Sequence, residues 1–161
     1  MPLFRFVVIA AFSLSANAFA QSGFWSSSAV PGTPEVGNDA AGVNLGVKFY
    51  SDVPGTITAV RFYKGPHNTG THIGNVWSSS GTKLASVTFS GESAAGWQQA
   101  ALATPLTISA NTTYVVSYFA PKGSYASDEY YVWKNVAGGS LHVSGSSPGI
   151  YVYGSAPAAP N

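Results

Sequence analysis

In the segment VNLGVKFYS, Val43, Leu45, Val47 and Phe49 alternate with Asn44, Lys48 and Tyr50. A period of two places the apolar set on one face of an extended chain and the polar set on the other, which marks a half-buried strand. The same reading predicts strands over 56–63, 73–78, 83–90, 97–102, 113–119 and 130–133, with weaker ones over 140–143 and 150–153. Glycine, proline and Ser/Asn turns such as SSGT and SGESAAG separate them. No stretch sustains a 3.6-residue period. The expected fold is therefore all-β, an antiparallel β-sandwich of Greek-key type, immunoglobulin-like or jelly-roll-like. Within PLTISANTTYVVSY, a polar turn leads into Tyr114 at the head of an alternating strand. At such a corner a tyrosine returns its hydroxyl to the upstream backbone.

The amino terminus departs from this pattern. MPLFRFVVIAAFSLSANAFA carries one basic residue, Arg5, an apolar run over 6–14, and an A-x-A site at Ala18 and Ala20. This predicts a secretory signal peptide over 1–20. The run falls short of the roughly 18 apolar residues that span a bilayer, so no membrane span is expected. The expected destination is outside the cytoplasm: extracellular, cell surface or periplasmic. There is no cysteine, so disulfides and thiolate chemistry are excluded. One β-sandwich domain is expected over 21–154, followed by an Ala/Pro-rich tail over 155–161. Its length of about 140 residues suffices for an independent core. Removing Arg5 leaves six basic against six acidic residues, a formal charge of zero with histidines neutral. Capture of nucleic acid by charge is not expected. Charged residues make up 8% of the chain, a composition suited to an uncharged ligand such as carbohydrate.

Candidate chemistry concentrates in two places. The first is RFYKGPHNTGTHIGNVW, where His67, Asn68 and His72 share a glycine-broken loop between strands. A zinc site takes three or four ligands, and only His142 adds a third imidazole, so no metal is expected. Turn chemistry alone explains the glycines and proline, while the amide, hydroxyl and imidazole groups suit sugar recognition. The second is SYASDEYYVW, where alternation sends Tyr130 and Tyr131 to opposite faces and so exposes one of them. Asp128, Lys134 and Asn135 lie close in sequence. Trp77 and Trp97 sit on strands and read as core.

A glycosidase needs two carboxylates facing one another across a cleft. Asp128 and Glu129 meet that only in a loop, and Asp52 and Glu92 sit in turns that account for them. Calcium through Asn38, Asp39 and a later carboxylate is conceivable but has no EF-hand-like run behind it. No G-x-S-x-G, P-loop or dinucleotide fingerprint occurs. The expectation is a non-catalytic module without a cofactor. Its ligand contacts would be His67, Asn68, His72, Tyr125, Asp128, Tyr130, Tyr131 and Trp133, its partner a carbohydrate or a surface protein. The alternatives are a purely structural or adhesive domain and a glycan-acting hydrolase.

Five motifs, FWSSSAVP (24–31), LGVKFYSDVPGTITAVRFYKG (45–65), NTGTHIGNVW (68–77), GESAAGWQQ (91–99) and ANTTYVVSYFAPKGSY (110–125), carry a family likeness. Through them the chain resembles a bacterial domain-of-unknown-function family of secreted and surface proteins. Members of that family stand beside immunoglobulin-like or cadherin-like repeats and glycoside hydrolases. The resemblance implies a β-sandwich with an extracellular accessory role and brings no catalytic residues. It also implies an aromatic strand beyond Tyr-x-Tyr-Gly, whereas YVYGS here runs into APAAPN. The last strand is thus expected to be missing, leaving an open sheet edge that self-associates or takes a strand from a partner.

Overall fold

The structure is a computed structural model and describes residues 8–12, 23–37, 39, 41–128 and 139–161. Eleven strands follow in chain order: β1 (Val8–Phe12), β2 (Thr33–Gly37), β3 (Val43–Ser51), β4 (Gly55–Lys64), β5 (Ile73–Ser78), β6 (Lys83–Thr88), β7 (Gly96–Ile108), β8 (Tyr114–Ala120), β9 (Ser124–Ser127), β10 (Leu141–Val143) and β11 (Gly149–Tyr153). All pair antiparallel. One sheet has the order β1-β4-β7. The larger has the order β10-β3-β8-β5-β6, with β11 also on β3, and β2 pairs with β9 in a ribbon. Strands β10 and β11 divide one edge of β3 between them, β10 against Phe49–Ser51 and β11 against Val43–Val47. The sheets pack as a sandwich, the all-β fold expected from alternation.

Four strands depart from the sequence reading. β2 and β9 are too short, and too rich in Pro, Gly and Ser, to show a period. β1 lies inside the run assigned to the leader. β7 continues past Leu102 to Ile108 because the register breaks between Ile57 and Ala59 of β4, and that irregularity accommodates Pro105. The strand expected over 130–133 lies outside the described residues. No helix among the described residues is long and apolar enough to cross a membrane.

The core follows from the pleat. Val43, Leu45, Val47 and Phe49 of β3 meet Val116, Tyr118 and Ala120 of β8, and Ile57, Val60 and Phe62 of β4 cover them from the opposite sheet. Phe62 stacks on Tyr118 with ring centroids 4.3 Å apart, and Phe24 meets Phe49 edge-on at 5.7 Å. Each such side chain contributes roughly 1.5–3 kcal/mol by leaving water.

The outer face of the large sheet is covered as well, because every residue of β8 is buried. Val115 packs with Trp77 and Ile150, and the Trp77 indole N–H donates to Ser117 Oγ at 2.8 Å. The segment over 155–161 folds back over this face instead of trailing off. Asn44, fully buried, holds it like a strand partner: its Nδ2 donates to the Ala156 carbonyl and its Oδ1 accepts from the Ala158 N–H, each at 3.0 Å. Gly46 leaves the room that Pro160 fills, since a Cβ there would lie 2.8 Å from the proline ring. Between this strap and the turn after β5 lies a cavity of ≈310 Å³, bounded by Trp77, Ser79, Val115 and Ala159.

At the head of β8 the expected corner is present: the Ser109 N–H donates to the Tyr114 hydroxyl at 3.1 Å. Tyr114→Phe leaves that amide unpaired in a half-buried turn. The expected cost is about 1 kcal/mol, read as a lower denaturation midpoint in urea at unchanged slope.

Candidate functional site

The loop over 65–72 begins where β4 ends at Lys64 and closes where β5 begins. Its three candidate side chains part company. The His67 ring is 84% exposed and is held by Glu35 of β2, whose carboxylate accepts from the His67 backbone N–H and meets Nδ1, both at 2.7 Å. Asn68 and His72 are fully buried and bonded to one another at 2.8 Å. They present no polar atom to solvent: the loop tucks them inward beneath Phe62, whose ring lies 4.8 Å from that of His72.

This inward cluster carries charge. Lys64 Nζ lies 2.7 Å from Glu92 Oε2, and His72 Nδ1 lies 2.8 and 2.9 Å from the two oxygens of the same carboxylate. Since Lys64 already balances Glu92, a second positive charge gains little there, and burial pushes the His72 pKa below its ordinary value despite the Glu92 hydrogen bond. A neutral ring donates from Nδ1 to Glu92 and must then accept at Nε2. Asn68 Oδ1 lies 2.8 Å from Nε2; turning that amide over presents its NH₂ to Nε2 and leaves its carbonyl for the Tyr118 hydroxyl it contacts. The opposite amide orientation strands Nδ2 in the core. The Tyr118 hydroxyl itself is held far above its usual pKa by complete burial.

A different group of residues faces solvent. Tyr151 and Tyr153 alternate on β11 opposite Leu45 and Val43, so both rings lie on the core side of the sheet but beyond its covered part. They are 38% and 50% exposed and meet edge-on at 5.7 Å. The Tyr153 hydroxyl donates to Asp39 Oδ2 at 3.0 Å. Tyr125 of β9 directs its hydroxyl to the same carboxylate; burial first, then the Asp39 charge, pushes its pKa up to about 12. Asp39 is brought here because the turn before β9 passes against its backbone. Gly123, at φ 70°, makes that passage, since a side chain there would collide with the Asp39 and Ala41 carbonyls.

Of the remaining candidates, Tyr125 is buried behind this pair, and Asp128 accepts from the Gly32 N–H at 2.9 Å at the other end of the ribbon. Tyr130, Tyr131 and Trp133 lie outside the described residues. Each histidine pairs with a different carboxylate, the third being His142 with Asp52 at 3.3 Å. Among the described residues no three His, Asp or Glu side chains gather to hold a metal. Sequence reasoning did not place Asp39, Tyr151 and Tyr153 together. The Tyr-Val-Tyr alternation signals two rings on one face, but Asp39 reaches them only through the fold.

A family model described as "Domain of unknown function (DUF4082)" matches residues 28–161. Searches of the curated proteins and of the solved structures find no match.

The buried histidine has a pH signature. With its pKa depressed in the fold, His72 stays neutral while an unfolded histidine protonates below about pH 6.5, so the unfolded state binds more protons. Stability therefore falls as pH drops from 7 toward 5, with a slope of at most about 1.4 kcal/mol per pH unit from this residue. Urea denaturation at several pH values should show this fall in the native chain and a shallower one in His72→Gln. A native chain that gains stability relative to His72→Gln as pH falls would mean the ring is charged in the fold.

Proposed function

The chain belongs to the domain-of-unknown-function family DUF4082, and from that premise we propose that it is an exported, non-catalytic β-sandwich module that binds neutral carbohydrate at Tyr151, Tyr153 and Asp39. The observation that carries this reading is the exposed tyrosine pair fixed on a carboxylate. Among the described residues these two tyrosines are the large aromatic side chains left open to water. A sugar presents a C–H face that an exposed ring covers, and hydroxyls that a carboxylate accepts. With Tyr153 and Tyr125 already donating to it, Asp39 is held in place beside the exposed rings.

The non-catalytic part is supported by the other carboxylates among the described residues. Glu35 holds the His67 loop, Asp52 pairs with His142, Glu92 is enclosed by Lys64 and His72, and Asp128 caps Gly32. Export rests on the leader-like residues 1–20, and the low charge of the chain agrees with an uncharged ligand.

A glycan array followed by titration calorimetry tests the site. Tyr151→Ala and Tyr153→Ala should each lower affinity about tenfold, the equivalent of roughly 1.4 kcal/mol of stacking. Asp39→Asn should weaken binding and raise the mobility of the Tyr153 ring. Absence of binding to every glycan, or binding indifferent to both tyrosine substitutions, contradicts the proposal.

A further inference from the structure

The β4 edge has a partner whose origin is unlike that of any other strand. β1 pairs antiparallel with it in the register Val8↔Phe62, Ile9↔Arg61, Ala10↔Val60, Ala11↔Ala59 and Phe12↔Ile57. Those five residues are the centre of the apolar run that reads as a secretion leader. β1 also lies across from β3 and β8 of the opposite sheet. Without it, the small sheet is reduced to β4 and β7 alone. β4 then exposes a row of N–H and C=O groups beside Ile57, Val60 and Phe62, all fully buried at present.

We propose that the β4 edge is a strand-acceptor site that takes an extended, uncharged, apolar peptide strand from another chain, antiparallel to β4, whenever Val8–Phe12 is not seated there. The chemistry of the occupant is read from β4 and from the strand already on it. Phe62, Val60 and Ile57 lie on the core face, so their partners must be apolar. Ala59 and Val60 stand opposite Ala11 and Ala10 respectively, which calls for small residues in the middle. Arg61 is engaged within its own sheet: its guanidinium lies 4.8 Å over the Trp97 ring. The main-chain ladder supplies the affinity and the alternate side chains the selectivity. The site is separate from the tyrosines of β11 and is independent of glycan binding.

The full chain tests this. Ala10→Pro in the middle of β1 disfavours its pairing with β4 and should speed amide hydrogen exchange over residues 58–62 about tenfold or more. A synthetic peptide of residues 6–14 should restore protection in the variant and leave the native chain unchanged. The native chain, folded first and then cut after Ala20, covers the case in which the variant does not fold. The cut leader should stay bound and exchange with a labelled copy of the peptide. A leader that separates to leave a folded monomer would overturn the proposal, as would a body that dimerises on losing it, or β4 amides indifferent to Ala10→Pro.

Discussion

Every residue of β8 is buried, and a strand buried on both faces needs cover from two parts of the chain. On the inner side the cover is the β4–β7 layer, with Phe62 stacked on Tyr118. On the outer side it is the strap over 155–161, tied by the Asn44 amide to Ala156 and Ala158. The strap starts where β11 ends, so docking it fixes β11 along β3 in the register that pairs Tyr151 with Leu45 and Tyr153 with Val43. The tyrosines then project past the edge of the core toward the β2–β9 ribbon. The candidate ligand surface is thus a by-product of how the central strand is kept dry.

A second constraint acts at the rim of the core. Lys64, Glu92, His72 and Asn68 bring ionised groups beside Phe62 and Phe89, and such groups are tolerated only when each finds a partner. Meeting that demand fixes the path from β4 to β5 and joins it to the turn after β6. The same path leaves His67 outside, where Glu35 ties the loop to β2 and so to the ribbon that carries Tyr125. Charge therefore organises the loop from within rather than creating a surface site.

How far the sequence disclosed this depends on the range of the interactions. Alternation in VNLGVKFYS and the corner at Tyr114 are local, and both were legible. β2 and β9 were not, since four or five residues with Pro, Gly and Ser carry no period, and only their mutual pairing makes them strands. The polar loop was read as a ligand surface because Asn68 and His72 are polar, but their burial depends on Glu92, twenty residues beyond His72. APAAPN reads as a tail because prolines and alanines show no pattern, and its role depends on one asparagine 112 residues earlier. Asp39 and Tyr153 are 114 residues apart, a contact that no spacing rule reaches.

The ligand surface and the strand-acceptor edge occupy different layers, one at β11 and one at β4. Under the two proposals a module built this way would hold a sugar on one side and join a partner chain on the other, without coupling the two. The most direct measurement is a backbone NMR titration with a neutral oligosaccharide selected from a glycan array. Shifts confined to Tyr151, Tyr153, Asp39 and the neighbouring β9 amides are the expected result. Shifts centred instead on the loop over 65–72 or on β4, or none at saturating ligand, would contradict the assignment of the binding surface.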